Sequence, residues 1–170
     1  MTIEQLNTLP VAEAVSALER CCGAKTWAER MARGRPFSSR AEVLTCAERG
    51  WWKLGESAWR EAFTHHPRIG EPAALRERFA STAAWAAGEQ AGAAAADERT
   101  LAALAEGNRA YEARFGYGFI VCATGLTADQ MLAMLNARLS NDAAAEIRIA
   151  AEEQMKITRL RLEKLLDGTP

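Results

Sequence analysis

Apolar residues recur three and four positions apart along nearly the whole chain, whereas strict alternation between apolar and polar residues is almost absent. The first spacing places apolar side chains on one face of an α-helix, and alternation is typical of a half-buried strand. Alanine, leucine, glutamate and arginine, which favour helices, are abundant. The pattern therefore predicts an all-α fold. Because 170 residues with 49% hydrophobic content can build one core, we expect a single compact multi-helix domain over residues 1–170.

Capping residues predict where the helices of the first half begin and end. Pro10 is suited to open the first substantial helix, and Gly23 is suited to close it. The predicted apolar face of this helix consists of Val11, Val15, Leu18 and Cys22. Ser39 and Glu42 have the spacing of a capping box, in which each side chain bonds the other residue's backbone N–H. Gly50 is predicted to end the helix that follows.

The second half carries similar signals. Thr127 with Gln130 is another capping box, and Gly116 is predicted to end a long helix. Five helices are predicted in this half. One begins at Pro72, one at Thr82 and one at Thr127, and the two long ones run from about Asp97 to Phe115 and from about Ala143 to Leu166. Residues 119–123 form the one strand-like run, but a lone strand has no sheet to join.

Both histidines lie in one short segment, Phe63–Gly70. Pro67 biases His66 away from helical geometry, so the preceding helix must end near His65 and the residues after it should be irregular. An imidazole just beyond a helix end is well placed for acid–base chemistry, and we expect this segment to line a site. Alternatively, His66 merely caps the helix carbonyls and Arg68 is a solvated charge. Composition does not decide between these interpretations.

Charge and cysteine usage exclude several classes of partner. The 21 basic residues nearly balance the 22 acidic ones, and neither sign forms a long block, so we expect no nucleic-acid or anionic-membrane binding. The sequence has no apolar run of membrane-spanning length and no recognisable secretion or peroxisomal signal. Of the four cysteines, Cys21 and Cys22 are adjacent, and the others lie in apolar surroundings typical of buried thiols. These features predict a cytoplasmic protein.

The sequence also lacks the signatures of several catalytic mechanisms. No histidine or cysteine spacing completes a metal coordination shell, and Cys122 lies in an apolar run that favours packing over nucleophilic catalysis. Glycine-rich nucleotide-binding loops and the serine-hydrolase elbow are absent. We therefore expect neither a metal nor a cofactor. Acid–base chemistry by side chains alone remains.

Polar residues in apolar surroundings supply the other candidates. Glu89 and Gln90 lie in an otherwise nonpolar stretch, where a buried carboxylate would need a partner. They would reach His66 only if the helix from Thr82 packs against the end of the Trp51–Phe63 helix, which leads into the histidine segment. An ordinary exposed pair is the alternative. In the last predicted helix, cations alternate with apolar residues, so one arginine should emerge beside the apolar face, unless that face is simply solvated.

Five motifs, in this order along the chain, resemble one family. They are Phe63 with His66-Pro67-Arg68-Ile69-Gly70, Glu89-Gln90, Phe115-Gly116 with Phe119-Ile120-x-Cys122-Ala123, Arg138-Leu139-x-Asn141, and Lys156-Ile157 with Leu160-Arg161-Leu162. Together they are similar to the motifs of 2-oxo-4-hydroxy-4-carboxy-5-ureidoimidazoline (OHCU) decarboxylases. The resemblance spans nearly the whole chain.

The resemblance implies an all-helical enzyme, usually a homodimer, that acts on a small-molecule ureidoimidazoline without a cofactor and yields (S)-allantoin during urate breakdown. It implies catalytic roles for His66, as the acid–base group, and for Glu89. It implies substrate contacts from Pro67, Gln90, the backbone of Phe119 and Ile120, and Arg161, with Arg138 as the fallback arginine. Ala86 stands where the family often has serine, so a hydroxyl contact from that position is not expected.

Two other functions compete with the decarboxylase. The first is a helical protein-interaction module in which the tryptophans and the Met131–Met134 pair form a partner groove. Helical spacing makes such residues core more often than surface. The second is a cofactor-free isomerase or hydrolase of a related purine breakdown product, which only substrate tests would distinguish.

Overall fold

The computed structural model describes residues 1–66 and 92–167, with the side chains of residues 92–97 excepted. The helices in these ranges are α1 (Ile3–Thr8), α2 (Val11–Cys22), α3 (Lys25–Arg33), α4 (Arg40–Trp52), α5 (Glu56–Thr64), α6 (Gly92–Phe115), α7 (Ala128–Arg138) and α8 (Ala143–Asp167). The described ranges contain helices and connecting segments but no strand. The predicted all-α class is confirmed, and the helices expected to begin at Pro72 and Thr82 lie outside the described residues.

Contacts between Cα atoms divide the chain into two compact units. The first unit consists of residues 1–66 and 149–170, and the second consists of residues 67–148. Helix α8 contributes its first six residues, 143–148, to the second unit and the rest to the first. The single domain over residues 1–170 stays a prediction.

Two fully buried tryptophans hold the core of the first unit together. The indole Nε1 of Trp27 donates to the carbonyl of Ala47 at 3.0 Å, which ties α3 to α4. The Nε1 of Trp51 donates to the carbonyl of Ala151 at 3.0 Å, which ties α4 to α8. Each indole N–H thus finds an acceptor where the ring is buried, as a satisfied core requires.

Burial of these residues argues against the partner groove of the interaction-module alternative. Trp27, Trp51, Trp59 and Met131 are at most 8% exposed. A groove for a partner helix needs apolar side chains that solvent can reach. These four residues belong to the core instead, whereas Trp52 and Met134 are half-buried and Trp85 lies outside the described residues.

Helix α2 begins and ends where the sequence predicts. Pro10 is its N-cap, and Gly23 is its C-cap in the left-handed conformation, with φ of 88°. The predicted apolar face is wrong at Val11, which is 61% exposed, and only partly right at Val15, which is half-buried. The face that is buried consists of Ala14, Ala17, Leu18, Cys21 and Cys22. The helix is rotated so that small alanines, rather than the β-branched valines, contact the core.

Helix α4 departs from prediction at both ends. The Ser39 hydroxyl accepts the Glu42 N–H at 3.2 Å, but the Glu42 carboxylate accepts from the N–H and hydroxyl of Ser38 instead, so only half of the capping box forms. Gly50 does not end the helix, which continues to Trp52. A Cβ at Gly50 would lie 3.8 Å from the indole of Trp27, so this glycine lies at a helix packing contact rather than at a cap.

The second unit confirms the predicted stop signals. Helix α6 ends at Phe115, and Gly116 has φ of 77°, while Thr127 and Gln130 form both bonds of the capping box that opens α7. Residues 119–123, the strand-like run, are irregular. Backbone groups of this run find partners on the side chains of Asn108 and Arg138.

Candidate active site

His66 lies just past the end of α5, as predicted. The last residue of the helix is Thr64, and the N–H groups of His65 and His66 donate to the carbonyls of Ala62 and Phe63, each at 3.2 Å. These bonds span three residues rather than four, which tightens the chain into a final turn. The side chain of His65 is exposed, whereas that of His66 is half-buried.

The imidazole of His66 contacts a buried amide. Its Nε2 lies 2.5 Å from Oε1 of Gln154, a residue of α8 with no exposed surface. The Gln154 Nε2 donates to the carbonyl of Cys22 at 3.3 Å and to the hydroxyl of Thr158 at 3.1 Å. The ring of His66 is therefore connected to the C-terminal end of α2 through a single side chain.

Arg161 reaches the same helix end. Its Nη1 donates to the carbonyl of Cys21 at 3.4 Å, and its side chain is half-buried. The last carbonyls of a helix have no partner within the helix and carry partial negative charge, so they attract donors and cations. We call the carbonyls of Cys21 and Cys22 at the end of α2 the anchoring point. Two predicted site residues are tied to it, His66 through Gln154 and Arg161 directly.

Gly23 completes this anchoring point. A Cβ at Gly23 would lie 2.9 Å from the Cβ and Cγ of His65, closer than real Cβ atoms come. Its φ of 88° is also unfavourable for a side chain. Glycine is therefore required at position 23 for two reasons. It ends α2 in a left-handed conformation, and it lets His65 lie close to the backbone of Gly23.

The adjacent thiols of Cys21 and Cys22 are not suited to nucleophilic catalysis. Both residues are at most 4% exposed, and burial raises the pKa of each thiol to about 11, although Arg161 acts in the opposite direction. A thiol that stays protonated at neutral pH is a poor nucleophile. Among the described residues, no group of three or more histidine, cysteine, aspartate or glutamate side chains is placed to hold a metal ion.

The Phe119–Ile120 backbone, predicted to contact substrate, belongs to the second unit. The Phe119 N–H donates to Oδ1 of Asn108 at 2.8 Å, and the Ile120 carbonyl accepts from Nη1 of Arg138 at 2.8 Å. Both side chains are 3% exposed. Two of the four backbone polar groups in this dipeptide are therefore used inside the protein.

Arg138 is held in a buried network that explains the Arg138-Leu139-x-Asn141 motif. Its Nε and Nη2 lie 2.7 Å and 2.6 Å from Oε1 of Glu146, and its Nη2 donates to the hydroxyl of Tyr111 at 3.3 Å. The Tyr111 hydroxyl donates to Glu146, whose other oxygen accepts from Asn141 at 2.7 Å. Burial, reinforced by that bond to Glu146, raises the pKa of Tyr111 far above its ordinary range. This network fixes the Ile120 carbonyl.

The remaining predicted site residues, Pro67, Glu89 and Gln90, lie outside the described residues, as does Ala86. Gln154 is the residue that sequence reasoning missed. A usable signal existed, because Gln154, Thr158 and Arg161 follow the i, i+4, i+7 spacing of one helix face.

Comparison with known proteins identifies the family. The family model described as OHCU decarboxylase matches residues 7–163. The chain is 37% identical over 148 residues to the "Uric acid degradation bifunctional protein TTL" of Arabidopsis thaliana, covering 85% of this chain and 45% of that protein. It is 32% identical to the human "Putative 2-oxo-4-hydroxy-4-carboxy-5-ureidoimidazoline decarboxylase", covering 100% of this chain and 98% of that protein.

A solved structure agrees with these matches. An OHCU decarboxylase crystallised in the presence of (S)-allantoin superposes with a TM-score of 0.71 at 35% identity, over 88% of this chain and 96% of that one. The chain spans less than half the length of the Arabidopsis relative but nearly all of the human one. In the ranges that the structure describes, no helix is long and apolar enough to span a membrane. The family model and these relatives together show what the motifs predicted, that the chain belongs to the OHCU decarboxylase family, whose members are carboxy-lyases.

Proposed function

We propose that this chain decarboxylates OHCU to (S)-allantoin during urate catabolism, without a cofactor and with His66 as the acid–base group. Family membership supports the reaction class, and the relatives named for uric acid degradation and for crystallisation with (S)-allantoin support the pathway and product. The observation that carries the role of His66 is its half-buried imidazole, fixed 2.5 Å from a buried amide just beyond a helix end.

The chemistry needs little beyond orientation and proton movement. The carboxylate leaves as carbon dioxide, and the electron pair of the broken C–C bond flows into the neighbouring ring C=N of the substrate. The substrate is thus its own electron sink, which is the task of pyridoxal or thiamine in other decarboxylases. The hydroxyl proton must leave as the ring carbonyl forms, and a proton must reach the ureido-bearing carbon on one face to give the S product.

His66 is suited to the proton steps. A histidine side chain can both accept and return a proton at neutral pH. We propose that it takes the proton of the substrate hydroxyl as carbon dioxide leaves. Holding the ring in one orientation converts this transfer into an effectively intramolecular step.

Arg161 is the proposed ligand of a ureido or ring oxygen. Its guanidinium belongs to the same unit as His66 and is half-buried, whereas Arg138 is already engaged with Glu146, Tyr111 and Ile120. A grip on the departing carboxylate would stabilise the ground state as well, so an oxygen that gains charge during the reaction is the better partner. This assigns the substrate contact to Arg161 rather than to Arg138.

The other contacts follow the family resemblance. We propose that Glu89 orients the imidazole or the ureido group, and that Pro67, Gln90 and the backbone of Phe119 and Ile120 bind the substrate. We further propose that the protein is a cytoplasmic homodimer that needs no metal. The four cysteines without a disulfide pairing suit a reducing compartment, and light scattering of the purified protein tests the dimer.

Circular dichroism of the product tests the proposed function. Freshly generated OHCU should yield optically active (S)-allantoin rapidly with the wild-type protein. His66→Ala and His66→Asn should lower the rate about 10²–10⁴-fold, because a positioned acid–base group typically contributes that factor to the rate. The helical circular dichroism spectrum should be retained. The matched control is His65→Ala, which removes the adjacent, exposed imidazole and should keep nearly full turnover.

The outcomes separate the possible functions. Racemic product at the spontaneous rate with wild-type protein would refute the decarboxylase. Near-full activity of His66→Ala would refute the proposed mechanism but keep the reaction. Loss of activity in His65→Ala alone would move the acid–base role to the neighbouring histidine.

A further inference from the structure

The side chain of Gln154 is buried and has partners at both ends. Its Oε1 lies 2.5 Å from Nε2 of His66, and its Nε2 donates to the Cys22 carbonyl at 3.3 Å and the Thr158 hydroxyl at 3.1 Å. A buried amide with this arrangement cannot rotate without breaking several contacts. Its position on α8 is therefore a constraint on the imidazole ring that it contacts.

The partners of Gln154 determine which way its amide faces. A backbone carbonyl can only accept hydrogen bonds, so the amide atom next to Cys22 must be the nitrogen. The amide oxygen then faces His66, and an amide oxygen can only accept. The proton in this contact must therefore belong to the imidazole, on Nε2.

We propose that Gln154 is a positioning residue that holds His66 in the tautomer with its proton on Nε2. In a neutral imidazole one nitrogen donates and the other accepts, so Nδ1 becomes the basic nitrogen. Resting on the proposed function, the inference makes Nδ1 of His66 the atom that takes the substrate's hydroxyl proton. Of the two roles proposed for Glu89, it leaves the one at the ureido group. Because an amide is uncharged, it orients the ring without the strong stabilisation of the imidazolium that a carboxylate would give. That suits a group that must return its proton.

Nitrogen NMR without substrate tests the tautomer directly. The chain has two histidines, so the His65→Ala protein labelled with ¹⁵N-histidine reports His66 alone. At a pH above the ordinary histidine pKa, we expect a protonated Nε2 and an unprotonated Nδ1. A proton on Nδ1, or two nitrogens with averaged shifts, would overturn the proposal. This result does not depend on turnover, so it stands apart from success or failure of the proposed function.

Two substitutions at Gln154 test the effect on activity. Gln154→Met removes the acceptor, so we expect averaged nitrogen shifts. We also expect a kcat lowered by about 10–100-fold with little change in KM, by analogy with residues that orient metal-binding histidines. Gln154→Glu keeps an acceptor but adds a charge that favours the imidazolium. We expect it to retain the Nε2 proton and to need a higher pH for full activity. Ionisable groups near this contact in the described ranges include the thiols of Cys21 and Cys22, the Arg161 guanidinium and the His65 imidazole, and none of them is changed by either Gln154 substitution.

Lys156→Met is the matched control on the same helix. It breaks a polar contact of equal length, 2.5 Å to Glu153, but its side chain is mostly exposed. We expect an unchanged tautomer and unchanged kcat. If Gln154→Met behaves like this control in both measurements, Gln154 has no positioning role. If wild-type protein shows the Nε2 tautomer but no turnover of OHCU, the proposed function fails and the assignment of the tautomer holds.

Discussion

Gly23→Ala should both destabilise the protein and misplace the histidine segment. Gly23 ends α2 with φ of 88°, and a Cβ there would lie 2.9 Å from the Cβ and Cγ of His65. The added methyl group therefore meets two separate obstacles. One is the backbone conformation, and the other is an atom at the base of a side chain, which cannot rotate away.

The two costs can be estimated from the geometry. A left-handed conformation costs an alanine about 1–2 kcal/mol. The Cβ contact is half an ångström short of the ordinary limit of 3.4 Å, so His65 must move, and overpacking of this kind costs about 1–3 kcal/mol. We expect a loss of about 2–5 kcal/mol in the free energy of unfolding. Because a 1 Å misplacement can cost 10²-fold in rate, a half-ångström shift of the adjoining His66 should lower kcat/KM by roughly tenfold.

Urea denaturation followed by circular dichroism measures the first effect, and the product assay measures the second. Gly125→Ala is the matched control, because Gly125 has φ of 80° but no atom within 4 Å of the position that a Cβ would take there. It should lose only the left-handed cost of about 1–2 kcal/mol. Gly23→Ala combined with His65→Gly removes the colliding atom and should regain about 1–3 kcal/mol relative to Gly23→Ala alone.

The stability losses of Gly23→Ala and Gly125→Ala, compared with each other, test whether the close approach of His65 matters. If Gly23→Ala loses no more stability than Gly125→Ala, the His65 side chain yields without cost and the close approach does not hold the segment. If stability falls as expected but kcat/KM is unchanged, the position of His65 does not control that of His66.

Two further predictions concern buried groups. Arg138→Leu should cost about 3–5 kcal/mol in urea denaturation because it leaves the buried charge of Glu146 without its cationic partner. Arg33→Gln, which breaks an exposed ion pair, should cost less than about 1 kcal/mol. Equal losses would contradict the role of the network. The raised pKa of Cys21 and Cys22, from 9.0 to about 11, means that the unfolded chain releases these protons first, so the unfolding free energy should fall between pH 9 and 11. Replacing both thiols by alanine should make that fall shallower, and an unchanged slope would show that their burial does not contribute.

Local signals predicted helix ends well because caps depend on neighbouring residues alone. Gly23, Gly116 and the Thr127–Gln130 capping box all lie where the sequence places them. Gly50 was misread because its role is tertiary, since the glycine faces Trp27 of another helix. The same limit explains Val11, because a helical pattern does not reveal how far a helix is rotated toward its core.

The candidate site was predictable in its residue types but not in its connections. His66 and Arg161 were found from a helix end and from family motifs. Gln154 lies 88 residues from His66, and no local rule links two positions so far apart. Arg138 shows the converse, because its motif marks it as important but cannot say whether an arginine binds substrate or a buried carboxylate.

The anchoring point at the end of α2 uses main-chain carbonyls, and that has a consequence for how this site can vary among relatives. Gln154 and Arg161 donate to the backbone carbonyls of positions 22 and 21, so these hydrogen bonds do not depend on the side chains at those positions. Any small apolar residue that fills the same space could replace either cysteine and leave both anchors intact. Only the position after them is restricted by the backbone. Among relatives, positions 21 and 22 should therefore accept several residue types, whereas position 23 should be restricted to glycine.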